Sequence, residues 1–419
     1  RDLRMSRGLG DVYKRQEYSA TPEDFGMVTG SINTDAKITV PFVNNSAYAV
    51  TDLDYVVSVD GVAGSEEHAS FSPSVGVGSK SSFKVSVPCG SVEAKKSIKV
   101  EITKVNGHDN ESKDKVAEGY VGVSSTQFTR NMVIEEFTTE KCPNCPRVAG
   151  YLHEYLETAD LSRVAAVCHH SAYYTDWLTQ PCDQELTFLF NDAGSTFAPA
   201  VMFNREPDFD SYYAKGKKDN VTIPGGADEF GTIVEYYLTQ TLANAKLDMQ
   251  VVPNADKSKV TLVIKGEANN IYDTDNALLT VYVTEDNVKA QAQAGAQGTY
   301  MHHHVIRAYN STWGDKVTWD GTSFTATYDY DLDSSWKQDD IKFVAFLNKH
   351  NANDPLDNRI ENSINVSLSA TNGVEGVSTN NDAVEVARYN AAGQRIYGQQ
   401  KGLNIVKLSD GRTLKVIVK

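Results

Sequence analysis

Two cysteines separated by two residues, Cys142 and Cys145 in "VIEEFTTEKCPNCPRVAGYLHEYLE", are the groups in this chain best suited to chemistry. At that spacing two thiols can close into a disulfide, exchange with another disulfide, or ligate a metal. "NMVIEEF" reads as a short strand leading in, and "CPRVAGYLHEYLE" as a helix with Val148, Tyr151, Leu152 and Tyr155 on one face. A helix N-terminus carries unpaired N–H groups and a partial positive charge, which favour the thiolate of Cys142. Cys145, one turn on, is placed to attack a mixed disulfide formed at Cys142. Pro146 suits the first helical turn, where its missing N–H costs little.

Further thiols and imidazoles stand close in sequence. Cys168, His169, His170 and Cys182 follow within forty residues or so, and Cys142, Cys145, Cys168 and Cys182 together offer the ligand types of a zinc tetrahedron. The second pair is spread wider than in a typical zinc ribbon, so no metal is the leading expectation, and zinc is kept as an alternative. Cys168 and Cys182 could instead pair and pin the loop between them. Glu136 is read either as a buried proton acceptor or as a surface acid beside Glu135. His302 and His304, if on a strand, share one face, with His303 and Arg307 on the other; a structural or interface role is expected for them. Tyr173, Tyr174 and Trp177 either form a binding lip or pack onto the domain.

The elements that must position these residues alternate in character along the 419-residue chain. Residues 25–127 run in short alternating strands such as "AKITVPFV" and "SSFKVSVPCG" separated by turn residues, the pattern of an Ig-like β-sandwich. Residues 128–245 change to strand–helix–strand, with "SRVAAVCHH" and "FAPAVMFNRE" as buried-type strands and Asp228 capping a helix that carries Phe230, Ile233, Val234, Tyr237, Leu238 and Leu242. Residues 246–368 return to period two as a second sandwich, 369–382 is a linker by composition, and 383–419 is a small β module. The opening "RDLRMSRGLGDVYKRQ", residues 1–16, is basic and aperiodic and resembles the translated adapter tail found at the ends of metagenomic reading frames. It is expected to be foreign to the natural protein.

Composition narrows the partners. A formal charge of -15 without a long basic block argues against nucleic acid or an anionic membrane surface. No run of about eighteen apolar residues occurs, so no transmembrane helix is expected. Five cysteines in so long a chain do not make a disulfide framework, and the odd number leaves a thiol over. No Gly-rich phosphate loop, serine-hydrolase elbow or paired carboxylate site is present, and no cofactor is expected.

"VIEEFTTEKCPNC" resembles the first strand and active-site turn of thioredoxin-like proteins, and "FAPAVMFNRE" resembles their cis-proline strand. The resemblance implies Cys142 as nucleophile, Cys145 as resolving thiol, Glu136 as proton acceptor and Pro199 as the residue that positions a partner chain. Lys141 stands where the family usually has tryptophan, and "HHSAYYTDWLTQPCDQEL" lengthens the interval to Pro199. Over about residues 131–368 the arrangement resembles more closely the Omp28-related outer-membrane proteins of Bacteroidota, with their "EEFT…C…CP" turn and an H-x-H-V-x-R element, here "HHHVIR" from His302 to Arg307. The tail, with "YNAAGQRIY", "KGLNIVKL" and "LKVIVK", resembles type IX secretion sorting domains and implies the secretion machinery as a partner.

The expectation is therefore a multidomain α/β plus all-β protein of the outer membrane or cell surface, or secreted. A thioredoxin-like central domain is flanked by two Ig-like sandwiches and followed by a small C-terminal β module. Its function is thiol–disulfide exchange or a redox-linked role, acting on protein thiols or disulfides in the envelope. The alternatives are a non-enzymatic surface or adhesion protein whose CPNC disulfide is structural and which binds surface ligands, and a zinc-binding structural site.

Overall fold

The computed structural model describes residues 16–190, 196–206, 220–369, 385–390, 395–396, 400–408 and 413–418. The expected leader, apart from Gln16, and the linker from residue 370 onward lie outside the described residues. The chain divides into two compact units, Arg1–Gln127 and Phe128–Lys419.

In the first unit a three-stranded sheet (Ala20–Pro22, Asp35–Asn44, Lys80–Pro88) faces a six-stranded one made of Gly26–Ser31, Val50–Val59, Val62–Val75, Ala94–Val105 and Val116–Ser124, with the short His108–Asp109 beside Ala94–Val105. Alternation explains the sandwich. Ile38, Val40 and Phe42 of one sheet and Leu53, Ile98, Val100 and Ile102 of the other point inward and are fully buried. Cys89 is a free, buried thiol in this core.

The second unit is organised by one continuous eight-stranded sheet. Its order is Ala200–Phe203, Met132–Thr138, Val164–His170, Val305–Tyr309, Leu278–Glu285, Ile341–Asn348 and Ile360–Ser367, with Asp315–Lys316 added beside Leu278–Glu285. Met132–Thr138 and Val164–His170 run parallel, and Ala200–Phe203 is antiparallel to the first of them. Helices Cys145–Leu156 and Ala227–Gln240 cover Met132, Ile134, Val164, Ala166, Val201 and Phe203. Further along the sheet, the strands Ala245–Pro253, Lys259–Ala268 and Ser323–Asp331 form a second layer, burying Leu262 and Ile264 against Leu279, Val281, Phe343 and Leu347. The last described strands form an antiparallel four-stranded sheet, in the order Arg395–Ile396, Glu385–Asn390, Gly402–Leu408, Thr413–Val418.

The expected thioredoxin-like α/β domain is not what forms. The described chain is mostly β, with only three α-helices among the described residues, and the strands read as a self-contained α/β layer are one end of the larger sheet. The physical reason lies in Val164–His170, which is buried at every position. Its edge is not left free but pairs in parallel with Val305–Tyr309 through Cys168 and Val305. Its second apolar face, Ala165 and Val167 with Val133, packs with Tyr282, Ile306, Val344 and Phe346 of the following β-region. A strand buried on both faces demands neighbours on all sides, and here the β-region supplies them. Helix Ala227–Gln240 begins with Gly226 at its N-cap, so Asp228 lies in the first turn rather than capping it, and the helix stops before Leu242.

Candidate functional site: a covered disulfide above a buried carboxyl

Cys142 and Cys145 are joined in a disulfide with Cα atoms 5.5 Å apart. Helix Cys145–Leu156 starts at Cys145, with Asn144 at the N-cap and Pro146 in the first turn. Val148, Leu152 and Leu156 repeat at i+4 and fasten it to the sheet. Cys142 N–H donates to the Thr139 carbonyl at 3.0 Å, closing the turn that joins strand to helix.

The disulfide does not face open solvent; each cysteine is 1% exposed. A hairpin loop, residues 290–300 between the short strands Val288–Lys289 and Met301–His302, lies across the turn. Gln293 donates its side-chain amide to the Cys142 carbonyl at 3.0 Å, and Ala294 N–H donates to the Glu140 carbonyl at 2.7 Å. Gly295, at φ +79°, lies so near that a Cβ there would stand 2.1 Å from the Pro143 carbonyl oxygen. Glycine is required on both counts. The Glu140 carboxylate accepts from Gln291 N–H at 2.7 Å and from the Trp177 indole at 3.0 Å, so one side chain ties the strap and the long loop to the dithiol turn. Tyr173 and Tyr174 are exposed, and Lys141 lies 5.6 Å from the Tyr174 ring centre.

Beneath the helix, Glu136 is 4% exposed, and its Oε1 has no hydrogen-bond partner. Burial raises its pKa from 4.5 to about 8, so the carboxyl is protonated at neutral pH. It borders a cavity of about 30 Å³ with Thr138, Ala149, Cys168, Tyr300 and His302 among its walls. Cys145 sits four residues before Ala149 on the same helix face. Burial lowers the His302 pKa to about 3, helped by neighbouring His170, so this imidazole is neutral. Burial, with Glu136 nearby, keeps Cys168 a thiol by raising its pKa.

Glu135, one residue away, points to the other face of the sheet and has a different role. Both its oxygens accept from Arg205, at 2.7 and 2.8 Å, and His169 bridges it to Asp183, with all four side chains essentially inaccessible. Burial opposes ionisation of Glu135, but the guanidinium overrides it and holds the pKa down at about 2. The long loop after His170 delivers Asp183 to this network, while Asp176 accepts from His170 at 2.9 Å. Thus the loop covers the face of the sheet opposite the helices. Two adjacent glutamates are pushed in opposite directions because the pleat sends one to an arginine and leaves the other buried without a charged partner.

Several expectations are corrected. Cys168 and Cys182 are separate buried thiols and do not pair. The four cysteines are not a zinc tetrahedron, since two are consumed in a disulfide and no group of three metal-ligating side chains occurs among the described residues. His302 and His304 do not share a strand face. The strand breaks after His302, and His304 takes φ 57°, its ring lying 3.1 Å from Asp286. Pro199 is buried, follows a cis Ala198–Pro199 bond, and precedes Ala200, which pairs with Phe137 on the strand leading to the dithiol. The sequence reading missed Glu140, Gln293 and Gly295. The run "AQAQAGAQG" was the available signal, a stretch of small residues able to lie where larger side chains would clash.

No helix among the described residues is long and apolar enough to cross a membrane. No curated protein matches the chain. HBP35 of Porphyromonas gingivalis is similar in structure, with 20% identity and a TM-score of 0.49, over 70% of this chain and 99% of that one. The CARDB domain of a Pyrococcus furiosus protein covers 26% of this chain and 89% of its own, at 18% identity and a TM-score of 0.21. Residues 189–372, downstream of the dithiol turn but including Pro199 and the His302–Arg307 element, match the Omp28 outer membrane protein family, the family the sequence resembles.

Proposed function

We propose that this chain is an envelope protein whose Cys142–Cys145 pair exchanges with the thiols or disulfides of a partner protein. The observation that carries the reading is Glu136, a buried, unpartnered carboxyl, protonated at neutral pH, on the strand that feeds the dithiol turn. A structural site has no use for such a group, because burying it lowers stability. In the disulfide form a partner thiolate attacks the Cys142 sulfur, the Cys142–Cys145 bond breaks, and Cys145 leaves as a thiolate that takes the proton of Glu136. A second partner thiolate then attacks the mixed disulfide at the partner's sulfur, releasing Cys142. Two electrons have moved from the partner dithiol to the pair, and the partner leaves as a disulfide. Run backward, Glu136 accepts the Cys145 proton. Pro199 is the positioning residue for the partner backbone. The Omp28 match supports the envelope setting, and the tail resemblance supports export by type IX secretion.

The burial of both sulfurs favours a second reading, a closed disulfide that staples a surface-binding protein. Against it, the bridge spans a sequence separation of only 3. Closing so short a loop withdraws about 2 kcal/mol of unfolded-chain entropy, the low end for a staple.

Thiol trapping in graded glutathione buffers distinguishes the two. A midpoint between about -120 and -270 mV, with exchange lost in Cys142→Ser while the fold persists, supports the redox reading. A midpoint below about -300 mV places the pair among structural disulfides.

A further inference from the structure

Glu136 is 4% exposed, and the cavity it borders is its way to solvent. Building on the redox reading above, we propose that the cavity beside Glu136 holds a water molecule, and that this water and His302 form the route by which the proton reaches and leaves Glu136. Three observations carry it. Glu136 Oε1 and His302 Nε2 are both buried without a hydrogen-bond partner, and both residues border the same cavity. Its volume of about 30 Å³ exceeds the roughly 10–15 Å³ needed for one water, and Thr138 and Tyr300 add polar groups to the wall. Such a water satisfies groups that otherwise pay the full cost of burial.

His302 is suited to passing a proton rather than keeping it. Burial and His170, whose ring lies 4.7 Å away, disfavour the imidazolium. The Glu140 carboxylate, 3.9 Å from Nε2 and too far for a hydrogen bond, steadies the charge in transit. The other titratable groups facing the cavity are Cys168, held protonated, Tyr300, whose ring lies 5.0 Å from His302, and His303 and His304. Asp176, held ionised by His170, bonds that histidine and favours the charged form of His302. The wall continues to His303, which stacks at 5.2 Å on His153, an exposed residue of the helix surface. That pair marks the way out. His302 is thus a proton-transfer residue for the dithiol.

The test is the rate at which dithiothreitol reduces the Cys142–Cys145 disulfide in the full chain between pH 5.5 and 9, read by thiol trapping. His302→Gln is expected to slow reduction little below about pH 7, where Glu136 already holds the proton that Cys145 takes, and at least about tenfold above pH 8, where Glu136 is ionised and must be reloaded through the relay. The equilibrium midpoint in glutathione stays unchanged. Glu136→Gln slows it at least as much, and the double variant is no slower than Glu136→Gln, because the two groups act in series. Equal rates for His302→Gln and wild type across the pH range overturn the relay while leaving the redox reading intact. A wild-type pair with a midpoint below about -300 mV removes both. Should His302→Gln fail to fold, a proton inventory on the unaltered chain decides: a curved dependence of rate on deuterium fraction supports two protons in flight, and a linear one overturns the relay.

Discussion

Replacing Glu136 with glutamine isolates the cost of the buried carboxyl from everything else at the site. The unfolded chain ionises this group above about pH 4.5, whereas the folded chain keeps it protonated to about 8. Between those values the folded state binds the extra proton, so its stability falls as pH rises, and the loss is complete once pH passes the folded pKa. At about 1.4 kcal/mol for each pH unit, the interval amounts to an upper limit of about 5 kcal/mol. Glu136→Gln removes the ionisation and keeps the volume. The variant should therefore match wild type near pH 4.5 and gain on it steadily, by as much as about 5 kcal/mol at pH 9. All four tryptophans, Trp177, Trp313, Trp319 and Trp336, lie in the second unit, so urea unfolding followed by tryptophan fluorescence reports the unit that holds the site. A stability difference that stays flat from pH 5 to pH 9, or one that reverses sign, would refute the assignment of Glu136 as a buried neutral acid.

Other expectations follow from the same geometry. Gly295→Ala sets a Cβ 2.1 Å from the Pro143 carbonyl and must displace the strap. A destabilisation of about 1–2 kcal/mol in that contact multiplies the open fraction, and with it the rate of reduction by a small dithiol, by about 5 to 30. An unchanged rate would show that the strap does not limit access. Arg205→Met leaves the Glu135 carboxylate buried opposite an apolar chain and should cost about 3–5 kcal/mol. Adding Glu135→Gln should recover a good part of that, and a double-mutant cycle in urea measures the coupling. Reducing Cys142–Cys145 should lower unfolding stability by no more than about 2 kcal/mol, because the loop it closes is so short. A much larger loss in calorimetry would favour the staple.

Local patterns carry their meaning in the sequence itself. Alternating apolar residues in "AKITVPFV" or "KVTLVIKGE" admit only strands with one buried face, and these strands form at Asp35–Asn44 and Lys259–Ala268. Helical spacing of Val148 and Leu152 after Pro146 likewise admits one reading, and Cys142 and Cys145, three residues apart across a helix start, are close enough to bond wherever the chain goes. What such patterns leave open is which edge meets which. "VAAVCHH" is apolar on both faces, a property equally compatible with a closed α/β layer and with the interior of a wider sheet. The pairing of Cys168 with Val305, 137 residues downstream, decided for the latter. The same long-range pairing brings the Val288–His302 hairpin over the dithiol and places His302 on the cavity of Glu136. Glu135 and Glu136 are identical as text. They differ because the pleat turns one toward Arg205, just beyond strand Ala200–Phe203, and the other toward a cavity with no cation, and that distinction exists only once the sheet is assembled.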